Sequence, residues 1–256
     1  MKRSDMDQSK NPWELNAEWW QNSFTNGMND EYSEQLLPLI VDLMKGFQKV
    51  LDIGTGEGQI IRALEGMSID AVGIDQSQKQ IKRGKEINPS SFLLRALAED
   101  LPFSYAFFDA AISCLVVEHI ERFEESFREA SRVIKSGGRF VLVMNHPLVQ
   151  SPGSSWVEDW TTDPPEKYWR IGSYLREELS EEYFGDGISI PYTHRPLSRY
   201  LNVLNDSGFV LTRMIEPAPL NSDEKNSEWK NEISYIPRFL IIVCEKTSRE
   251  ENETKH

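Results

Sequence analysis

One segment constrains the fold of this chain more than any other: the run Val50-Leu51-Asp52-Ile53-Gly54-Thr55-Gly56-Glu57-Gly58. A short apolar strand that ends in glycines and then enters a helix places backbone N–H groups at the N-terminus of that helix. Glycines at such a turn let a ligand approach the backbone closely. The segment therefore predicts a strand–loop–helix unit that binds a nucleotide-like ligand, a geometry that many different cofactors use.

The spacing of the glycines narrows the choice of ligand. A dinucleotide fingerprint would need a glycine at position 59, where Gln59 stands. No Gly-Lys-Ser/Thr follows, so the loop is not a P-loop. Asp52, two residues before Gly54, suits a ligand that carries positive charge better than it suits a pyrophosphate.

A second acid, Asp75, ends the next apolar run, 21 residues after Gly54. A carboxylate at this place can accept hydrogen bonds from a ribose diol, which favours a cofactor with an adenosyl group without choosing among them. Two structural alternatives stay open. Asp52 could be a loop acid or a helix cap, and Asp75 could simply cap the helix that follows it.

Apolar strand patterns alternate with amphipathic helix patterns from residue 49 onward. Continuous apolar strands between helices are typical of a parallel sheet covered on both faces. We therefore expect an α/β fold: a Rossmann-like, doubly wound, seven-stranded, mostly parallel sheet with helices on both faces and a lid insertion after strand 5. The predicted strands are 50–53, 69–74, 91–95, 108–117, 139–144, 209–215 and 238–244, and the predicted helices are 59–64, 77–87, 123–134 and 197–206.

Composition divides the chain into five parts. We expect an N-terminal helical cap at 1–46, a ligand-binding core at 47–146, a lid insertion at 147–196, the C-terminal part of the core at 197–246 and a disordered tail at 247–256. The lid insertion lacks a clear period and is crowded with aromatic side chains: Trp156, Trp160, Tyr168, Trp169, Tyr174, Tyr183 and Tyr192. Such a segment can line an apolar or aromatic pocket or form an aromatic cage around an amine, or it can be a small separate core.

The net charge of −13 disfavours nucleic acid and anionic membranes as partners and is compatible with a small molecule. Cys114 and Cys244 lie in apolar runs, so we expect buried strand thiols, with neither a disulfide nor a metal site. Residues 1–10 are polar, and no apolar stretch approaches the roughly 20 residues that cross a bilayer. We expect a soluble, cytoplasmic protein, with its oligomeric state left open.

Five motifs in this order resemble those of the class I S-adenosyl-L-methionine (SAM)-dependent methyltransferases. The similarity is greatest to the subgroup that includes the ubiquinone/menaquinone biosynthesis C-methyltransferases. It covers residues 48–146 well and resumes weakly over 194–246. The motifs are Val50 to Gly58, Val72-Gly73-Ile74-Asp75-Gln76-Ser77, Leu97-Ala98-Glu99-Asp100-Leu101-Pro102-Phe103, the segment from Phe108 through His119-Ile120, and Gly137-Gly138-Arg139.

The resemblance implies SAM as cofactor and a role for each matching residue. The loop Gly54-Thr55-Gly56 would face the methionine part of SAM, and Asp52 would help to hold its ammonium group. Further implied contacts are Asp75 with the ribose, Gln76, Ala98 and Glu99 with the adenine, and Leu115 with the region of the sulfonium. The family usually has an acid at position 97, where this chain has Leu97, so either Glu99 or the backbone around Ala98 would hold the adenine amino group.

Methyl transfer to an O, N or C nucleophile is an in-line displacement that needs neither a metal nor a catalytic triad. A general base is needed only if the nucleophile must lose a proton. Three histidines are candidates for that base: His119 after the fourth strand, His146 after the fifth, and His194 at the end of the lid segment. The alternative is a non-catalytic SAM-binding or partner-binding protein on the same fold, suggested by Leu97 and by the lack of an obvious base.

Overall fold

The computed structural model describes residues 11–25, 31–185, 187–220 and 236–248. Two expectations concern residues outside these ranges in whole or in large part. They are the polar N-terminus and the disordered tail, of which only residues 247 and 248 are described.

The described residues form eleven strands and eight α-helices. The strands are β1 (Lys49–Ile53), β2 (Asp70–Asp75), β3 (Phe92–Arg95), β4 (Phe108–Cys114), β5 (Ile134–Asn145), β6 (Ser155–Asp159), β7 (Glu166–Arg170), β8 (Glu178–Gly185), β9 (Ile188–His194), β10 (Phe209–Ile215) and β11 (Phe239–Lys246). The helices are α1 (Pro12–Leu15), α2 (Ala17–Trp20), α3 (Leu37–Leu43), α4 (Gln59–Glu65), α5 (Gln78–Ile87), α6 (Phe123–Val133), α7 (Pro147–Gln150) and α8 (Leu197–Asp206).

Seven strands form one sheet in the order β10-β11-β5-β4-β1-β2-β3. β11 runs antiparallel to both of its neighbours, and the other six strands run in one direction. The predicted seven-stranded, mostly parallel sheet is therefore confirmed. Because the chain crosses from β3 back over β1 to form β4, the strand order reverses between β1 and β4. Ligands bind at such a switch point, outside the carboxyl ends of the strands.

Two apolar clusters cover the two faces of this sheet. Alternate residues of each central strand belong to different clusters, as Leu51 and Ile53 do on one face and Val50 on the other. Helices α6 and α8 pack on the first face, and α3, α4 and α5 pack on the second. The buried strands hold the carboxyl edge of the sheet in a fixed geometry, on which the site described below is built.

Two predicted boundaries were wrong. β4 ends at Cys114 rather than at residue 117, because Leu115 has a φ of +57° and Val117–His119 forms a single 3₁₀ turn. β5 begins at Ile134 rather than at residue 139, directly after α6 ends at Val133, so Gly137 and Gly138 lie within the strand. The pairing of β4 with β5 shifts register between Phe108 and Ala110, so the glycines lie at an irregularity within a strand.

Residues 147–194, which lack a clear period, form α7 and two antiparallel hairpins, β6–β7 and β8–β9. Neither hairpin joins the main sheet. In β6–β7, the rings of Trp156 and Trp169 meet at 5.3 Å between centroids as a cross-strand pair. Small two-stranded units of this kind give weak alternation in sequence, because both of their faces are partly exposed.

The N-terminal segment is helical, with α1, α2, two π-helical turns at Gln21–Thr25 and Glu31–Leu36, and α3, whose first turn contains Pro38. The buried carboxylate of Glu14 in α1 accepts hydrogen bonds from the Ser77 hydroxyl (2.6 Å) and from the backbone N–H of Lys79 (3.2 Å). This contact fastens the segment to the start of α5. Among the residues that the structure describes, no helix is long and apolar enough to cross a membrane.

Candidate functional site

A cavity of about 560 Å³ lies at the carboxyl ends of the central strands. Its floor is formed by the glycine loop after β1, the end of β2, the segment after β3 and the turn after β4. The N-terminal segment and the β8–β9 hairpin complete its wall, through Asn11, Pro12, Trp13, Trp20, Tyr32, Glu182, Phe184 and Pro191. A cavity of this size falls within the range of small-molecule and cofactor sites.

Two backbone hydrogen bonds attach the glycine loop to β2. The N–H groups of Gly54 and Thr55 both donate to the carbonyl oxygen of Ile74, at 2.9 and 2.8 Å. Gly54 has a φ of +78°, and a Cβ added there would lie 2.3 Å from a methyl group of Val116. Only glycine adopts this φ readily and also avoids the clash with Val116, which explains why the motif has a glycine at this position.

Asp75 connects the glycine loop to the start of α5. One carboxylate oxygen accepts from the backbone N–H of Ser77 (2.8 Å), and the other accepts from that of Gly56 (2.9 Å). Burial raises the pKa of Asp75 to about 6, against the lowering effect of these two bonds, and nearby Glu14 adds to the rise. A carboxylate offers about four acceptor positions, so Asp75 can hold the loop and still accept from a diol in the cavity. Ser77 itself caps α5, accepting from the N–H of Gln80.

Asp52 lies at the end of β1 with a relative exposure of 1%. Neither of its carboxylate oxygens has a hydrogen-bond partner among the described residues. Burial raises the pKa of Asp52 to about 7; the nearby Thr55 hydroxyl opposes this, and Asp75 adds to it. Asp52 does not line the cavity, but Thr55 does. A buried carboxylate without a partner is costly, and a cation close to the glycine loop would relieve that cost.

The segment after β3 forms a further part of the cavity wall. Leu97, Ala98 and Glu99 line the cavity, and the backbone turns back so that the N–H of Asp100 donates to the carbonyl oxygen of Leu97 (3.3 Å). Burial raises the pKa of the Glu99 carboxyl group. Leu97 offers only an apolar surface, whereas Glu99 places a carboxylate on the same wall.

The cavity brings together almost all of the residues that the sequence assigned to the cofactor. Eight of the nine line it, and the ninth, Asp52, lies beneath the loop. The eight are Gly54, Thr55, Gly56, Asp75, Gln76, Ala98, Glu99 and Leu115. Their individual roles toward a cofactor stay predictions.

The three candidate histidines lie in different environments. His119 lines the cavity, and its Nδ1 lies 2.9 Å from the carbonyl oxygen of Pro191. Because a carbonyl only accepts, Nδ1 carries a proton, and the lone pair of the neutral ring is on Nε2.

His146 and His194 are both buried and do not line the cavity. Nε2 of His146 donates to Glu216 (3.0 Å), while its Nδ1 accepts from the N–H of Leu148 and caps α7. Nε2 of His194 donates to the carbonyl oxygen of Tyr174 (2.7 Å). The geometry therefore favours His119 over the other two as a base.

Sequence reasoning missed the side chains that form the far end of the cavity. None of the seven aromatic residues of 147–196 named above is among its lining residues; that segment contributes Phe184, Glu182 and Pro191 instead. Trp160 and Tyr183 are mostly exposed, at 70% and 76%. The sequence feature that could have identified these side chains was the tryptophan-rich N-terminal segment, since Trp13 and Trp20 both line the cavity.

Comparison with known proteins agrees with this geometry. Residues 51–142 match the model of a family described as a methyltransferase domain. The chain is 32% identical over 114 residues to a demethylmenaquinone methyltransferase of Paenarthrobacter aurescens, covering 43% of this chain and 45% of the relative. It is 27% identical over 143 residues to a ubiquinone/menaquinone biosynthesis C-methyltransferase of Rhizobium etli, covering 51% and 55%. The chain thus spans about half the length of the curated relatives that it matches.

Solved structures share the fold. A SAM-dependent methyltransferase from Mesorhizobium loti superimposes with a TM-score of 0.70 at 24% identity, covering 82% of this chain and 96% of that one. A structure from Listeria monocytogenes, also described as a SAM-dependent methyltransferase, gives a TM-score of 0.68 at 23% identity. Residues 51–142 therefore match a methyltransferase domain, the fold is that of SAM-dependent methyltransferases of known structure, and about half of the chain resembles ubiquinone/menaquinone biosynthesis methyltransferases.

Proposed function

We propose that this protein transfers the methyl group of SAM to a small-molecule acceptor by in-line displacement at an O, N or C nucleophile. One observation carries the proposal: a single cavity joins the glycine loop and Asp75 at one end to a group of aromatic side chains at the other. A methyltransferase needs both compartments, because the methyl carbon and its acceptor must meet within one enclosed space.

The charges of the cavity suit this cofactor. Among the described residues that line it, five acids face two arginines: Glu57, Asp75, Glu99, Glu121 and Glu182 against Arg95 and Arg238. SAM supplies an activated methyl carbon on a positively charged sulfur, together with an ammonium group. Asp75 would accept from the ribose hydroxyls, Glu99 would lie along the adenine, and Asp52 beneath the loop would offset the ammonium charge.

The contribution of the chain to the reaction is mainly alignment. Holding a nucleophile in line with the methyl carbon can lower the barrier by roughly 7–11 kcal/mol. Trp13, Trp20 and Phe184 enclose the acceptor end and would keep water away from it. His119 lines the cavity with its Nδ1 bonded to Pro191, so its Nε2 would be the nitrogen that takes a proton from the acceptor.

The nature of the acceptor does not follow from the relatives. One of them is named a demethylmenaquinone methyltransferase and another a ubiquinone/menaquinone biosynthesis C-methyltransferase, which makes a carbon acceptor one candidate. The family match ends at residue 142, however, so Glu182, Phe184 and Pro191 lie outside it. The cytoplasmic location expected from the sequence also stays a prediction.

Calorimetry with S-adenosylhomocysteine, the product of the cofactor, tests the first half of the proposal. We expect binding by the full chain and a large loss of affinity in Asp75→Ala, whereas the exposed Asp70→Ala at the other end of the same strand keeps the wild-type affinity. Binding of NAD with no binding of S-adenosylhomocysteine would contradict the proposal.

Transfer of a radiolabelled methyl group into a metabolite extract tests the second half. We expect a labelled small molecule with the wild-type chain and none with Asp75→Ala. The alternative is a non-catalytic SAM-binding protein, which the apolar Leu97 in the adenine wall favours. Tight binding of S-adenosylhomocysteine without labelling of any extract would support that alternative.

A further inference from the structure

Four rings meet at the acceptor end of the cavity, although they come from three distant parts of the chain. Trp13 lies edge to face against Trp20 (5.0 Å between centroids) and against His119 (4.8 Å). Phe184 of β8 lies 6.2 Å from Trp20. Trp13, Trp20, His119 and Phe184 all line the cavity. Grouped aromatic faces of this kind attract a cation through their quadrupoles.

A carboxylate lies within this aromatic wall. Glu182 and Phe184 both belong to β8, and both line the cavity, although the pairing of β8 with β9 shifts register between Tyr183 and Gly185. Glu182 is half-buried, and its carboxylate makes no hydrogen bond or ion pair with any described residue. Burial raises the pKa of Glu182, Glu118 adds to the rise, and His119 and Arg238 oppose it.

The nearby arginine is already paired with another acid. The guanidinium of Arg238 is ion-paired with Glu31 and lies over the ring of Phe239, 5.2 Å from its centroid. Glu182 itself forms no direct ion pair with a described residue, and Arg238 and His119 act on it only from a longer distance. The acceptor end combines aromatic faces with a partly desolvated carboxylate, which is the chemistry that recognises an ammonium group.

We propose that the methyl acceptor is a small amine, held in its ammonium form by Glu182 against the rings of Trp13, Trp20 and Phe184. The inference rests on the proposed methyltransferase function and names the substrate class of the same site. It differs from a carbon acceptor on a neutral quinone-like ring, for which a half-buried carboxylate without a direct ion-pair partner would be unfavourable.

An ammonium group has no lone pair, so it must lose a proton before it can accept a methyl group. The N–H proton passes to Nε2 of His119, whose Nδ1–H stays bonded to Pro191, and the nitrogen regains its lone pair. That pair forms the new N–C bond as the C–S bond breaks and its electrons go to sulfur. The products are the methylated ammonium, S-adenosylhomocysteine and a protonated His119, which returns its proton to water.

A charge series on a constant ring tests the substrate class by binding alone. The probes are 2-phenylethylamine, 2-phenylethanol and 3-phenylpropionate, added to the full chain saturated with S-adenosylhomocysteine and followed by calorimetry at neutral pH. We expect the cationic amine to bind at least about tenfold more tightly than the neutral alcohol, and the anion to bind most weakly. Equal affinities, or tightest binding of the alcohol or the anion, would overturn the inference.

Two isosteric variants test whether the preference for the amine depends on the carboxylate of Glu182. Glu182→Gln should reduce the preference for the amine over the alcohol to within about threefold. The adjacent Glu181→Gln, at an exposed acid whose side chain accepts from Ser189, should keep the full preference. A preference that survives in Glu182→Gln would show that this acid does not select the substrate.

The two proposals fail in different ways. If S-adenosylhomocysteine does not bind, the methyltransferase function is wrong and the amine inference falls with it. If it binds and the charge series shows no cation preference, the amine inference alone is wrong.

Discussion

The cofactor end of the cavity is built largely from backbone and short sequence motifs, whereas its acceptor end is built from side chains that are far apart in sequence. At the first end, Gly54 and Thr55 are fixed by two bonds to Ile74, and Asp75 bonds to Gly56 and Ser77. At the second end, Trp13, His119 and Phe184 come from an N-terminal helix, a 3₁₀ turn and an inserted hairpin.

This difference indicates which end of the cavity would determine specificity for the cofactor and which end specificity for the acceptor. A parallel sheet fixes its carboxyl edge through ladder bonds and buried apolar faces, so that end can be the same in many proteins that bind one cofactor. The acceptor end depends on how two peripheral segments pack over that edge. Substitutions should therefore damage the first end through strain and lost bonds, and the second end through lost contacts to the ligand.

The largest effect is expected from Gly54→Ala. The new Cβ would meet Val116 at 2.3 Å in a residue with a φ of +78°, so we expect a loss of about 3 kcal/mol in the free energy of unfolding and loss of cofactor binding. The control is Gly46→Ala, where φ is +89° but no atom lies within 4 Å of the Cβ, and only about 1 kcal/mol should be lost. Urea denaturation measures both; equal losses would show that the contact with Val116 does not matter.

His119→Asn probes the acceptor end. We expect kcat to fall about 100-fold because the base is lost, while the affinity for S-adenosylhomocysteine stays within about twofold. The pH dependence of kcat at saturating SAM should also weaken in this variant. His146→Ala, which removes the cap of α7 and the contact with Glu216, should lower stability by about 1 kcal/mol instead. An unchanged kcat and pH profile in His119→Asn would remove this residue from the mechanism.

The pH dependence of cofactor binding should depend on the carboxylates at the cofactor end of the cavity. Asp52 and Asp75 have pKa values raised to about 7 and about 6, so they are largely protonated at pH 5. The affinity for S-adenosylhomocysteine, which carries an ammonium group, should rise up to about tenfold between pH 5.5 and 8. Calorimetry across this range measures it, and Asp52→Asn should flatten the upper part. A flat wild-type profile would contradict the role of these carboxylates.

The same raised pKa values predict the stability of the ligand-free protein. The contribution of the two protonated carboxyls is fully present below about pH 4 and is lost as the pH rises through 6 to 7. Thermal unfolding should therefore show that the ligand-free protein loses stability as the pH rises from about 4 to about 7. Saturating S-adenosylhomocysteine should reduce the loss, because its positive charge favours the ionised forms.

The smallest effect is expected in the β6–β7 hairpin. Trp160 is 70% exposed and does not line the cavity, so Trp160→Ala should change stability by less than about 0.5 kcal/mol and leave binding of the amine probe unchanged. Trp20→Ala, in contrast, should weaken that binding severalfold, because Trp20 belongs to the acceptor wall. If Trp160→Ala weakens binding as much as Trp20→Ala does, the acceptor end extends farther than the cavity shows.

Local patterns in the sequence predicted the core of the molecule well. The run from Val50 to Gly58 placed a strand, a loop and a helix correctly, and the helix predicted at 77–87 corresponds to α5. Such patterns succeed because buried strands need continuous apolar residues and tight turns need glycines. They failed at the end of β4 and at the start of β5, where the pairing of β4 with β5 determines the boundary.

The sequence by itself determined the sheet and the set of residues that line the glycine-loop end of the cavity, because both depend on neighbours within a few positions. Only the tertiary structure decided which aromatic residues and which of the three candidate histidines line the cavity. Trp13 and Phe184 are separated by 171 residues, and nothing in either local pattern brings them together. The packing of the N-terminal segment through Glu14 and of the β8–β9 hairpin over the sheet edge does so, and it leaves Glu182 in the same wall.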